Sequence, residues 1–400
     1  MKKVDCIIIG AGLSGLAAAL TLQKNGKTFV VIDKETEVGG RVRSTLHQNE
    51  FILDHGFQVL LNSYPELQNF VELKNLNLKK LNSGAFIYDG SRLDLLGNPI
   101  LHPSTIFSSL SSGVTTIKDK FLILKLVFRS FFSRSDTPMG TETTQDFLKN
   151  FGFSAKMIES FWTPFLAGVF LDHDLRTGKE FFLFLIKCFS LGQTTVPALG
   201  MAELPKALAS QLPEGSIFLN EKIQSWKNNE VCLLNGEVVK ADAVICAFDA
   251  PDVAAVSYSN VTTHYFTGAD LNQVKWDKWL VLIPRKYNLS FDNMCLMSSV
   301  SEDYGKNKPL LSVSVVGSDR GSVDQIVNDI NLVAGFDLGL ELISSYPILK
   351  ALPRASGHPQ GFEICDHVIY CGDRWTSPSI NGALKSGRLA AEYLLAGKLV

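Results

Sequence analysis

Residues 4–33, VDCIIIGAGLSGLAAALTLQKNGKTFVVID, constrain this chain more than any other stretch. Val4 to Ile9 read as a buried parallel strand, residues 14–25 as a helix rich in Ala and Leu that Gly26 ends, and Thr28 to Ile32 as a second strand. A lone G-x-G-x-x-G carries little weight. One that follows a strand, opens a helix and is answered by an acid after the next strand has a mechanism. Gly10 permits the turn, Gly12 lets backbone approach a pyrophosphate, and Gly15 lets the helix close on the strand. The helix N-terminus, at Leu13 and Ser14, then holds the negative charge. Asp33, with Lys34 beside it, follows the second strand where the diol of a ribose needs an acceptor. The segment is built for a dinucleotide.

A chain of 400 residues exceeds the roughly 250–300 at which one hydrophobic core stops growing, so two domains are expected. With 46% hydrophobic and 20% charged residues and a net charge of −2, the bulk is globular, and no basic-aromatic tract points to nucleic acid. No metal-ligand spacing and no second G-x-G-x-x-G occur, so electrons are expected to enter from an organic substrate. The cysteines, Cys6, Cys188, Cys232, Cys246, Cys295, Cys365 and Cys371, form no C-x-x-C pair and read as small core residues in a reducing cytoplasm. Lys2-Lys3 ahead of an apolar run imitate a signal peptide, but Asp5 and the glycines interrupt it, and the segment is expected to be retained. No run reaches the ~18 apolar residues of a membrane span.

The stretch VIDKETEVGGRVRS, residues 31–44, places Gly-Gly-Arg about seven positions after the acid. It resembles the flavin amine oxidase superfamily, which includes monoamine and polyamine oxidases, protoporphyrinogen oxidase and the phytoene desaturases. The resemblance implies FAD, with Gly40 and Arg41 along its diphosphate and ribose. LDHGFQVLL, residues 53–61, is similar to the family segment near the isoalloxazine, which implicates Gly56 and Phe57; His55 reads as a packing residue. VIYCGDRWTSPSINGALKSGRLAAEYLLAGK, residues 368–398, resembles the family's closing flavin motif. There Gly372 and Asp373 are implied to meet the ribityl or diphosphate, and Ser379 and Ile380 to open a helix toward the flavin. The backbone of Ile223 is implied to meet the adenine edge.

The implied fold is α/β: a Rossmann-type FAD-binding domain, glutathione-reductase-like and of the amine oxidase type, interleaved with a mixed α+β substrate domain. The expected division is 1–80, 195–255 and 355–400 for FAD, and 81–194 and 256–354 for substrate. Residues 117–134, IKDKFLILKLVFRSFFSR, read as a basic amphipathic helix. Packing of its apolar face on the substrate domain is the preferred reading, and a peripheral membrane contact the other. Trp162, Phe165, Phe170 and Phe182 are candidates for a hydrophobic tunnel. Ser379 stands where amine oxidases carry a cage tyrosine, which shifts the expectation toward the desaturase-like branch. Lys278 is the candidate for the family's lysine near the flavin, from strand-like surroundings.

The function expected is hydride transfer from an apolar organic substrate to FAD, with oxygen or a quinone as acceptor. Amine oxidation, a protoporphyrinogen oxidase-type activity, a redox-neutral isomerase and a non-catalytic carrier like the Rab GDP-dissociation inhibitors are the alternatives. Localisation is expected to be cytoplasmic, at most on the cytoplasmic face of a membrane.

Overall fold

Strands whose residues are buried on both faces belong inside a parallel sheet covered by helices, and the first two strands are of this kind. In a computed structural model, which describes residues 3–97, 115–133, 140–227, 229–318, 320–354 and 357–398, β1 (Val4–Ile9), α1 (Leu13–Lys24) and β2 (Phe29–Ile32) form the expected βαβ unit. β1 pairs in parallel with β2 and with the strand Val238–Cys246. Ile217–Phe218 extends the sheet beyond β2, and Val368–Tyr370 pairs in parallel with Val238–Cys246. The first half of Val238–Cys246 pairs instead with Glu230–Leu233 across the Asn235-Gly236 turn, where Gly236 takes φ +87°. That is the hairpin the Asn-Gly pair announces.

A second sheet of seven strands runs in the order Leu340–Pro353, Tyr258–Gly268, Leu311–Val316, Asn293–Leu296, Leu280–Leu282, Gly84–Tyr88 and Leu93–Gly97. All its pairings are antiparallel except Leu280–Leu282 with Gly84–Tyr88. The two sheets thus draw on alternating parts of the chain. Helical segments Ile117–Ser130, Thr144–Phe151, Ala155–Phe170 and Lys179–Leu191 come between the strands of the two sheets in sequence.

Two close approaches set the geometry of the parallel-sheet side. A Cβ on Gly15 would lie 1.9 Å from the Gly10 carbonyl oxygen, so α1 seats on the turn only with glycine there. A Cβ on Gly387 would lie 2.0 Å from the Ser14 carbonyl oxygen, so the last helix, Ile380–Leu395, lies directly against α1. Among the helices between the strands, the one starting at Ala155 contains a π-helical turn at Ile158–Trp162. Such turns re-aim side chains at functional sites. Among the described residues no helix is long and apolar enough to cross a membrane.

Candidate active site

One cavity of about 1710 Å³ runs from the β1–α1 turn to the aromatic helices. Ligand sites are commonly about 300–1,000 Å³, so this volume accommodates a dinucleotide and a second molecule. Gly10, Gly12, Leu13, Ser14, Asp33, Lys34, Gly40, Arg41, Gly56, Phe57, Ile223, Gly372, Asp373, Ser379 and Ile380 all line it. Gly15 does not, because it serves the contact between α1 and the turn.

Gly12 and Gly15 separate two uses of glycine. Gly12 has φ −75°, open to any residue, and a Cβ there would meet nothing within 4 Å. Packing therefore does not demand glycine at 12, and its bare backbone leaves room in the cavity for a ligand to approach. Gly12 pairs with Gly39, whose N–H donates to the Ala11 carbonyl at 2.9 Å, and Gly40 sits over Gly12. Two glycine-rich turns form one cradle. Asp33 accepts from Ala11 N–H at 2.5 Å and from Glu35 N–H at 2.9 Å. A carboxylate has about four acceptor positions, so capacity remains for ribose hydroxyls.

Arg41 and Asp373 come from opposite ends of the chain and meet in the cavity wall. Arg41 Nη2 donates to Asp373 at 2.5 Å and Nη1 to the Ala351 carbonyl at 3.0 Å. Ser379 caps the last helix by accepting from Gly382 N–H at 3.0 Å. That helix end faces the cavity with its positive dipole.

Gln58, which the sequence reading passed over, is a further wall residue. Its Nε2 donates to the carbonyls of Arg41 and His55, while its buried Oε1 has no protein partner. Only its place two residues beyond Gly56 in LDHGFQVLL marks it in sequence. The glycine cradle, the free capacity on Asp33 and this acceptor suit FAD.

Asp54 anchors the Gly56 turn from beneath. It accepts from Ser44, Met201 N–H and Tyr304 at 2.5, 2.9 and 2.6 Å. Burial pushes its pKa up, against those three donors. His55 Nδ1 accepts from Arg43 at 3.0 Å, and its Nε2 lies 2.8 Å from the Thr45 hydroxyl. Both ring nitrogens are occupied, and the ring sits 4.4 Å from that of Tyr346. Burial first, and then Arg43, push its pKa down to about 4, so the ring is neutral near pH 7. His55 stands in the cavity wall beside Gly56.

Two expectations are corrected. Lys278 is exposed in a turn at φ +59° ahead of Leu280–Leu282, outside the cavity wall, because the strand begins two residues later. Phe170 and Phe182 are core: Phe182 packs between Trp162 and Phe147, and Phe170 against Phe181. Trp162 and Phe165 do line the cavity, joined by Phe161, Phe181 and Phe189. Cys371 also lines it, with burial raising its thiol pKa to about 12.

The helix Ile117–Ser130 packs one apolar face inward and leaves other apolar residues exposed. Leu122 and Leu126 are buried, while Ile117, Phe121, Leu124 and Phe128 stay exposed, Phe121 at 68% and Phe128 at 67%. Arg134 lies outside the described residues.

The profile of the flavin containing amine oxidoreductase family matches residues 13–279. Among curated proteins, the chain is 26% identical over 163 residues to protoporphyrinogen oxidase 2, chloroplastic/mitochondrial, of Arabidopsis thaliana, covering 40% of this chain and 31% of that protein. It is 24% identical over 292 residues to 4,4'-diapophytoene desaturase of Staphylococcus aureus, covering 62% of this chain and 55% of that one. Those matches span about a third and about half of the relatives' lengths. Among solved structures, putrescine oxidase with putrescine bound superposes with a TM-score of 0.71 at 16% identity, covering 98% of this chain and 99% of that chain. An oxidoreductase from Methanosarcina mazei gives 0.74 at 15% identity, covering 98% and 100%. These likenesses show the fold. The chain belongs to the flavin containing amine oxidoreductase family, a family of enzymes that use FAD.

Proposed function

We propose that this protein oxidises an apolar organic substrate in the manner of a desaturase or dehydrogenase. The observation that carries the reading is the division of the cavity wall. The described carboxylates that line it, Asp33, Glu35, Glu221, Asp249 and Asp373, belong to its cofactor end. Phe161, Phe165, Val169, Leu185 and Phe189 line the other end. A cationic amine finds no carboxylate among the described residues at that apolar end, and Ser379 spends its hydroxyl on the helix cap. FAD held there would supply the acceptor for a hydride leaving a substrate C–H bond, with a proton released to solvent as the double bond forms and the two electrons passed on to oxygen or a quinone.

The chain's own residues do the rest. The glycine cradle, Asp33 and the last helix hold the cofactor, Asp54 fixes the turn at Gly56, and the aromatic wall excludes water. The exposed stripe of Ile117–Ser130 and the Phe131 that follows it extend the same wall, since Leu124 and Phe131 are both exposed and cavity-lining. We propose that this helix lies on a lipid surface and passes the substrate inward.

The test is anaerobic bleaching of the bound flavin. Polyunsaturated hydrocarbons and apolar alcohols are expected to bleach it and benzylamine or putrescine to leave it yellow. Rapid bleaching by the amines alone rejects the reading.

A further inference from the structure

The floor of the apolar end is a sheet, and its residues are not uniformly apolar. Directly opposed residues of an antiparallel pair point to the same face. Asn293 opposes Ser314, and Ser314 opposes Thr263, which sets three polar side chains in one row across three strands. Leu282 continues the row on the Asn293 side and Tyr346 on the Thr263 side. Asn293 and Ser314 line the cavity, beside Leu280, Leu282, Val261 and Val316.

Asn293 is 3% exposed, and its Oδ1 has no protein hydrogen-bond partner; the Thr263 hydroxyl, fully buried in the same row, has none either. Leaving a buried polar atom without a partner is destabilising, and an aliphatic residue would avoid that cost. The fold also makes room for the amide: a Cβ on Gly168 would lie 3.1 Å from Asn293 Nδ2. The neighbouring Asp292 is committed elsewhere, to Arg320 and to the Val316 N–H at 2.7 Å, and does not line the cavity. The row is uncharged.

We infer that Asn293, with Ser314, selects a substrate that carries an uncharged hydroxyl on an otherwise apolar chain. The hydroxyl donates to Asn293 Oδ1, an interaction that a hydrocarbon lacks and a carboxylate or carbonyl does not replace. This rests on the apolar-substrate reading above and narrows it from hydrocarbons to apolar alcohols. Sites built to hydrogen-bond a ligand hydroxyl discriminate strongly against the analogue without it.

The experiment measures dissociation constants of 1-dodecanol and dodecane for the FAD-loaded protein by equilibrium dialysis. In Asn293→Leu the constant for 1-dodecanol is expected to rise about tenfold, while that for dodecane stays level or falls. Ser314→Ala is expected to act in the same direction to a smaller extent and guards against a folding defect in the first variant. Constants that move together for the two probes, or do not move, overturn the inference. If neither probe binds the unaltered protein, the apolar-substrate reading falls and this inference with it.

Discussion

The Arg41 guanidinium donates to the Asp373 carboxylate at 2.5 Å across 332 residues of chain. The pair ties the Gly-Gly-Arg turn to the strand-end that precedes the last helix, and both residues line the cavity. Arg41→Met leaves a buried carboxylate without its cation. The guanidinium is 41% exposed, which keeps the expected loss of stability to about 1–2 kcal/mol. Flavin retention should fall more steeply, about tenfold or further. Thermal melting and the absorbance of released flavin measure the two effects separately, and full flavin occupancy in the variant contradicts the assignment.

Gly12 and Gly15 should respond in opposite ways. A Cβ at position 12 meets no protein atom within 4 Å, so Gly12→Val is expected to melt close to unliganded wild type while holding no FAD. Gly15→Ala drives a Cβ into the Gly10 carbonyl and should cost about 3 kcal/mol or more. A Gly12→Val protein that keeps a full flavin load would show that the cradle is misplaced.

His55 gives stability a pH dependence whose sign follows from its depressed pKa. The ordinary value is 6.5 and the folded value about 4. Between these the unfolded chain binds more protons than the folded one, so stability present above about pH 6.5 is lost as pH falls toward 4. Urea unfolding over this range should show a shallower pH slope for His55→Gln. An unchanged slope means that the ring is not held neutral.

Phe165 lines the cavity and Phe182 does not. Phe182→Ala removes a fully buried core ring and should cost about 3–5 kcal/mol. Phe165→Ala opens the cavity instead and should keep fold and FAD while lowering the rate at which an apolar substrate bleaches the flavin. Activity that tracks folded fraction in both variants assigns Phe165 to the core.

The stripe on Ile117–Ser130 predicts binding to vesicles of phosphatidylcholine and phosphatidylserine. Phe121→Ser with Phe128→Ser removes two exposed rings, each worth about 1.5–3 kcal/mol when buried. Co-sedimentation should fall more than about tenfold, with flavin content unaffected. Equal sedimentation of variant and parent removes the membrane role.

Residues 4–33 and 368–398 announced the cofactor end because the constraints there are local. A turn that needs glycine, a backbone that must approach a phosphate and a helix N-terminus all leave their mark within a few positions of one another. The family resemblance carried Gly56, Phe57 and Ile223 to the same wall. Other features depend on residues far apart in the chain. Arg41 meets Asp373, and Asp54 meets Tyr304, only once the sheets are assembled. The row of Thr263, Asn293 and Ser314 exists through strand register, which no single segment encodes. Periodicity showed that residues 117–134 are amphipathic, but an apolar face is the same in sequence whether it meets a core or solvent, and packing decided which residues it covered. For Lys278 the apolar residues beside it suggested a strand, yet a left-handed turn two residues before the strand turned it to solvent. Sequence alone determined the glycine-rich turns and the helix cap that line one end of the cavity, since these depend on residues a few positions apart. Tertiary structure decided what the remainder of the cavity presents to a substrate, since each wall residue there is aimed by an element that another part of the chain holds in place.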